Sequence, residues 1–476
     1  YSKMILHIFM ILLDESLLIG DYFVSSSDVT SLYLDDNHID HITGAAFQSL
    51  PRLMTLDLSR NKLPRKNLLR FANCVNLRTL KINDNKIKSN NTDVPNDIIE
   101  RLPNLEVLEL QGHSIVKFDV SLRDFSPRLT KLDLSRNNLT SPTFLRNLPD
   151  TLTHLYLQEN KIQTVEELVV KNLEELLLDG NKIQQLCSDN CGSSSLSLEA
   201  ATRLKKLQIS RNKISEINEN AFQHTGSLVY LDLSQNQIQH LENGTLNRLM
   251  NLEVFNISGN SLTLIPHLCG LKYLTTLDLS ANFIGGVHSN SLCSLSYLKT
   301  LKLSNNHITS IESYSFYRTE RLEHLDLSNN LLITLKSLWI TPANSLRVLL
   351  LKNNKISKLD KLSIEEVKLL EDLHLEGNPL SNFEVQMVFN FPRRLLVHLK
   401  EAVPSLDEEE LNILTPVYCF NLRKLFFFIF IAEKNVFYIV PLTRAVRLRL
   451  RFHVLRVKKH VEIRIPIVRI NKEYVS

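Results

Sequence analysis

Leu228-Val-Tyr-Leu231-Asp-Leu233-Ser-Gln-Asn236-Gln-Ile238 is one copy of the pattern LxxLxLxxNxL, and its recurrence decides the fold. Fifteen copies follow one another. Their polar column runs Asn37, Asn61, Asn85, His113, Asn137, Asn160, Asn181, Asn212, Asn236, Asn260, Asn282, Asn306, Asn330, Asn354 and Asn378. Successive members lie 24, 24, 28, 24, 23, 21, 31, 24, 24, 22, 24, 24, 24 and 24 residues apart. A register held from Asn37 to Asn378 means stacked supersecondary units, each in contact with its two neighbours.

The LxL step is a strand with period 2, its leucines facing inward. One coil cannot bury its own leucines, so the coils stack and share a core. The expected architecture is a curved α/β solenoid of 15–16 coils with a parallel sheet on its concave side. Strands about 4.8 Å apart give an arc on the order of 70 Å. The Asn column answers a separate need. Where the chain turns inward, backbone groups would be buried without partners, and a carboxamide offers both donors and an acceptor. His113 keeps a donor and an acceptor nitrogen, so it reads as a structural substitute.

Four segments follow: residues 1–28, the solenoid at 29–381, a C-terminal cap at 382–412 and a basic tail at 413–476. The chain opens on Tyr1, which we read as a start inside a longer product. Lys3 and the apolar run Met4–Leu13 suit a signal peptide. The same stretch also suits a degenerate first coil, with Ile11 on the strand and Ser16 in the Asn column; this second reading is preferred. After Gly377-Asn-Pro-Leu380 a helical cap is expected. Leu425-Phe-Phe-Phe-Ile-Phe-Ile431 is too short for a membrane span, which takes about 20 apolar residues.

Net charge is +4 and unevenly placed. Residues 421–476 hold thirteen Lys/Arg against three Asp/Glu, or +10, which leaves −6 for the rest. Val446–Phe452 and Val461–Ile465 alternate with period 2. They read either as a basic strand pair for an anionic membrane surface or as a poorly ordered C-terminus, the second being preferred. The acidic solenoid makes nucleic acid a poor partner for the concave face.

Of six cysteines, Cys74 falls in a column of buried leucines and reads as a core residue. Cys269 and Cys293 each lie five residues before a coil's first Leu, so they should be neighbours on adjacent coils. A disulfide and a pair of thiols both fit. Cys187 and Cys191 lie in the 31-residue coil, in an extruded loop that a local disulfide would pinch. No metal site and no cofactor are expected. Asn-X-Ser/Thr sequons stand at Asn90, Asn138, Asn243 and Asn256. Asn256 is on a strand, where a glycan would obstruct the concave face.

The chain lacks a GxSxG elbow, HExxH, P-loop or GxGxxG motif. The carboxylates of the LDLS steps, Asp57, Asp133, Asp232, Asp278 and Asp326, are spaced by whole coils. They are expected to face solvent rather than to form an acid/base pair. A non-enzyme is the expectation.

Several coils carry a Phe on the side away from the strand, as in Ile39-Asp-His-Ile42 followed by Ala46-Phe47-Gln-Ser-Leu50, and likewise around Phe222 and Phe316. With this form the chain resembles the leucine-rich repeat superfamily over roughly residues 8–400, in its 24-residue extracellular subtype. It looks like the ectodomains of Toll-like receptors and chaoptin-type adhesion proteins. The resemblance implies a non-catalytic binding module at the cell surface or outside the cell, a receptor or adhesion ectodomain of the kind used in innate immunity. Its partner would be a protein ligand, a cell-surface partner or a second copy of the chain. The alternative is a cytoplasmic scaffold or regulatory subunit that holds a protein partner.

The concave positions flank the strand leucines. Most carry Asp, Thr, Lys or Ser. Four coils differ and bring together His154, Tyr156, Glu175, Leu177, Lys206, Gln208 and Tyr230, beside the loop 184–203. Aromatic and apolar groups among charges are the composition of interface cores, and Tyr156 and Leu177 are the expected anchors.

Overall fold

The computed structural model describes residues 26–398 apart from short internal stretches, together with the strands Met4–His7, Leu17–Ile19 and Val436–Tyr438. Its main element is an 18-stranded sheet. Each of the fifteen repeats supplies one strand, beginning with Val29–Tyr33 and ending with Asp372–His374. Neighbours pair in parallel at one fixed register, so Leu231 sits between Leu207 and Phe255, and Phe255 lies beside Leu277.

Within each strand the middle residue is inward, as period 2 requires. Leu56, Leu80, Leu108, Leu155, Leu231, Leu277 and Leu301 are all fully buried. The Phe column closes the opposite wall. Phe222 and Phe316 are fully buried, Phe47 nearly so, and Phe316 meets Trp339 edge-on at 5.6 Å. Bulky rings on one wall and hydrogen-bonded strands on the other make the strand wall the shorter, hence the inner, side of the curve. That far wall carries turns and short strand pairs, with the helical turn Leu122–Phe125 and the 3-10 turn Thr143–Asn147.

The Asn column does the bonding its chemistry allows. Nδ2 of Asn236 donates to Leu233 O in its own coil and to Ile209 O in the preceding one, both at 3.0 Å, while its Oδ1 accepts from Ile214 N at 3.0 Å. Asn61, Asn137, Asn260, Asn306, Asn330 and Asn354 repeat this pattern. Each side chain therefore ties two coils together, and a carbonyl such as Leu233 O accepts from the Asn of its own coil and from that of the next. His113 keeps the inter-coil bond, its Nε2 meeting Ile82 O.

Three expectations are corrected. The sheet does not stop at Asn378: Leu396–His398 pairs in parallel with Asp372–His374, where a helical cap was expected, and Val436–Tyr438 then pairs antiparallel. Apart from Pro392 and the buried Leu395, the rest of 382–412 and of the tail lies outside the described residues. At the other end, Met4–His7 pairs with Val29–Tyr33, with Leu6 opposite Leu32. The strand thus lies upstream of the one the template placed around Ile11.

The third correction concerns the 31-residue coil. Its extra residues do not simply form an extruded loop beside the concave face. Gln185–Cys187 pairs with Ser195–Ser197 on one side and with Glu216–Ile217 on the other in a separate three-stranded sheet. Leu196 also bridges to Val165 of the coil before. Ser195, Leu196 and Leu198 are fully buried. The insertion therefore wedges one more strand between neighbouring coils on the outer side, with none added on the inner side. One strand spacing is about 4.8 Å, and adding it to the outer wall alone bends the stack more sharply at this coil.

Candidate functional site on the concave face

The strands His154–Tyr156, Glu175–Leu177, Lys206–Gln208 and Tyr230–Asp232 are consecutive neighbours in the main sheet. Their register sets two rows. His154, Glu175, Lys206 and Tyr230 form one; Tyr156, Leu177, Gln208 and Asp232 form the other. All seven residues expected at the site are thus brought onto one face.

Glu175 is the electrostatic centre. Lys206 Nζ lies 2.8 Å from its carboxylate and His154 Nε2 lies 3.8 Å away. The Tyr156 hydroxyl feels the Glu175 charge, and Lys131 Nζ stands 5.1 Å over the Tyr156 ring. Burial, and then the nearby Glu175 charge, push the Tyr156 hydroxyl up to about 12. It is a donor throughout the physiological range. Lys206 Nζ stands 5.7 Å over the ring of Tyr230, whose hydroxyl is raised by burial and by Asp232. Cations over ring faces are held by the ring quadrupole.

The ridge extends beyond the sequence reading. Lys131 also pairs with Glu109 at 3.1 Å, and Lys81 reaches the same carboxylate at 3.8 Å. Burial raises the Glu109 carboxyl, but bonds from Asn83 and Lys131 outweigh this and leave it below the usual carboxylate range. Glu109 and Lys131 were missed because single charged residues in these columns look like any solvated face. Their meaning lies in the cross-strand alternation of charge and ring from Lys81 to Tyr230.

Leu177 is not the exposed anchor expected. It is only 8 % exposed, flanked in register by Tyr156 and Gln208. The LDLS carboxylates are corrected too. Asp57, Asp133, Asp232, Asp278 and Asp326 each accept the backbone N–H two residues on, at 2.8–3.0 Å. Asp133 and Asp232 are buried. They fix the turn after the strand, as Asp side chains commonly do.

Cys187 and Cys269 are both disulfide-bonded. Cys191 and Cys293, the partners the sequence reading allows, lie outside the described residues, as does Asn90. Cys74 is buried in the core. Asn243 is exposed, whereas Asn256 is half-buried and its Nδ2 donates to Asp232 at 3.2 Å. A second constellation, absent from the sequence reading, lies at the C-terminal end of the sheet: His374, Glu376 and His398. The 24-residue spacing of the two histidines, one coil, was the available signal.

The Leucine rich repeat family model matches residues 27–87, 202–262, 229–284 and 272–332, and a second repeat model matches 128–148. The solenoid is a leucine-rich repeat domain. It is 26% identical over 314 residues to a transforming growth factor beta activator of Danio rerio, a match covering 58% of this chain and 45% of that protein. It is 28% identical over 244 residues to chaoptin of Drosophila melanogaster, covering 46% of this chain and 18% of chaoptin. Among solved structures, a leucine-rich repeat protein of Leptospira interrogans superposes with a TM-score of 0.64 at 26% identity, over 78% of this chain and 90% of that one. The chain spans about half the length, or less, of the first curated relatives it matches. No helix among the described residues is long and apolar enough to cross a membrane.

Proposed function

We propose that this leucine-rich repeat domain is the recognition part of a secreted or cell-surface protein, a receptor or adhesion ectodomain that binds a protein partner on its concave face without catalysis. The observation that carries the compartment is the disulfide bonding of Cys187 and Cys269, because such bonds persist in oxidising surroundings. We read their partners as Cys191 and Cys293. Glycosylation at the exposed Asn243 belongs to the same reading.

The contact surface is the ridge from Glu109 to Tyr230. Tyr156 and Tyr230 supply area at low entropic cost, and Lys131, Glu175 and Lys206 give orientation through charge. Glu175 already holds Lys206, so the ridge is pre-organised and loses little freedom on binding.

The test is proximity labelling on living cells, with the chain fused to a labelling peroxidase. The proteins labelled by the unaltered chain should be lost with Tyr156→Ala/Lys206→Glu, while far-UV circular dichroism stays the same. An identical labelled set from a folded double variant contradicts the assignment of this face. A set dominated by the chain itself identifies a homodimer.

A further inference from the structure

His374 and His398 occupy in-register positions on the last two parallel strands of the concave sheet. That pairing stacks their imidazoles face to face, 3.9 Å apart and 2° from parallel. Glu376 stands two residues beyond His374, with its Oε1 3.1 Å from His374 Nδ1. One donor atom from each of the three lies within 4.8 Å of the other two, and all three side chains are half-buried. From this geometry we propose that His374, Glu376 and His398 form a binding site for a divalent cation of the zinc class.

Three features favour this over a plain polar cluster. Two imidazoles and a carboxylate are the donor set of zinc, whereas calcium and magnesium take oxygen donors. The in-register strands bring the two imidazoles side by side, so turning one ring about its side-chain torsions aims both nitrogens, whose lone pairs are parallel in the stack, at one ion. Glu376 Oε2 is buried and has no hydrogen-bond partner among the described residues. A buried acceptor left in this way costs free energy, which a cation would recover. Asp372 completes the arrangement. Its Oδ1 lies 3.4 Å from His398 Nε2, where it can hold the Nε2–H and leave Nδ1 for the ion.

One neighbour opposes the ion. Lys352 Nζ is 3.2 Å from Glu376 Oε1 and competes for the same carboxylate. Three protein ligands leave a fourth position facing the concave surface, open to water or to a donor from a bound partner. The site is six strand spacings from Tyr230, about 30 Å at 4.8 Å each. Its test is therefore independent of the charged and aromatic ridge.

The experiment uses the full chain, stripped with a chelator and titrated with zinc alone by calorimetry. In parallel, cobalt(II) is added and its visible ligand-field absorption recorded. One saturable ion per chain is expected, with the intense cobalt bands of a four-coordinate site. Glu376→Gln and His398→Gln should each weaken zinc at least about tenfold and remove the cobalt bands. Lys352→Met should tighten binding. Metal-free circular dichroism and thermal midpoints establish that the variants fold. If His398→Gln fails to fold, Glu376→Gln and Lys352→Met still move the affinity in opposite directions. No saturable zinc, or zinc affinity unchanged across these variants, overturns the proposal.

Discussion

Asn181 and Asn212 are separated by 31 residues, Asn306 and Asn330 by 24, yet on the sheet side the two coils are alike. Glu175–Leu177 pairs with Lys206–Gln208 in the register that Thr300–Lys302 keeps with His324–Asp326. Asn212 and Asn330 make the same bonds, each to a carbonyl of the preceding coil at 2.9–3.0 Å and each accepting a backbone N–H at 2.9–3.1 Å. All the difference is on the outer wall, where the longer coil adds the Ser195–Ser197 strand. The concave face is thus insulated from loop length. Its residues can vary for recognition while the leucines and asparagines hold the frame.

Core truncation gives the largest effect that could break this comparison. Leu207 and Leu277 are both fully buried middle residues of their strands, one in the 31-residue coil and one in a 22-residue coil without an insertion. Leu207→Ala and Leu277→Ala should each cost about 2–5 kcal/mol. Urea unfolding that finds Leu207→Ala nearly neutral would mean that the long coil is not packed like the others.

The ladder sharpens the comparison at a smaller scale. Removing the carboxamide in Asn212→Ala or Asn306→Ala orphans a buried backbone N–H, of Ile183 or Ile284, while the carbonyls it served keep a bond from the neighbouring Asn. Each should lose about 1–3 kcal/mol per group left unsatisfied. Similar losses at both positions, by urea midpoint at constant slope, are expected. A loss at Asn306 alone would show that the inserted strand has taken over the work of Asn212.

The smallest effect is a pH dependence. The Tyr156 hydroxyl is raised from 10.0 to about 12 in the folded chain. A raised value means that the folded state prefers the protonated phenol. Its contribution is complete below the ordinary phenol value and is lost as pH rises through about 12. Tyr156→Phe should therefore lose less stability than the unaltered chain across that alkaline window, and its ultraviolet titration should lack the last phenol to ionise. An unchanged titration curve above pH 11 would place Tyr156 in open solvent.

The period carried most of this fold. Spacing alone located the fifteen strands, the Asn bonds and the two rows of the concave patch, because a coil's register is written into its leucines. What sequence reading lost lay where local pattern and neighbours disagree. Ser195-Leu-Ser197 sits in a serine-rich stretch, so its burial as an added strand came from tertiary packing. Leu177 holds an outward position, and its cover comes from Tyr156 and Gln208 on other coils. The LDLS aspartates looked solvent-facing because the bond to a backbone N–H two residues on carries no sequence signal of its own. His398 carries no signal in the repeat pattern, because Leu396-Val-His398 has no Asn after it and the sheet runs one strand past the end of the Asn column.

The proposed function places this repeat domain in the secretory pathway. It is tested most directly on the endogenous protein, by mobility before and after glycosidase together with alkylation of its thiols. A downward shift on digestion, lost with Asn243→Gln, and Cys187 and Cys269 protected from alkylation until reduced, is the predicted result. No shift, with Cys187 and Cys269 alkylated directly, would contradict the extracellular reading and make the domain a scaffold inside the cell.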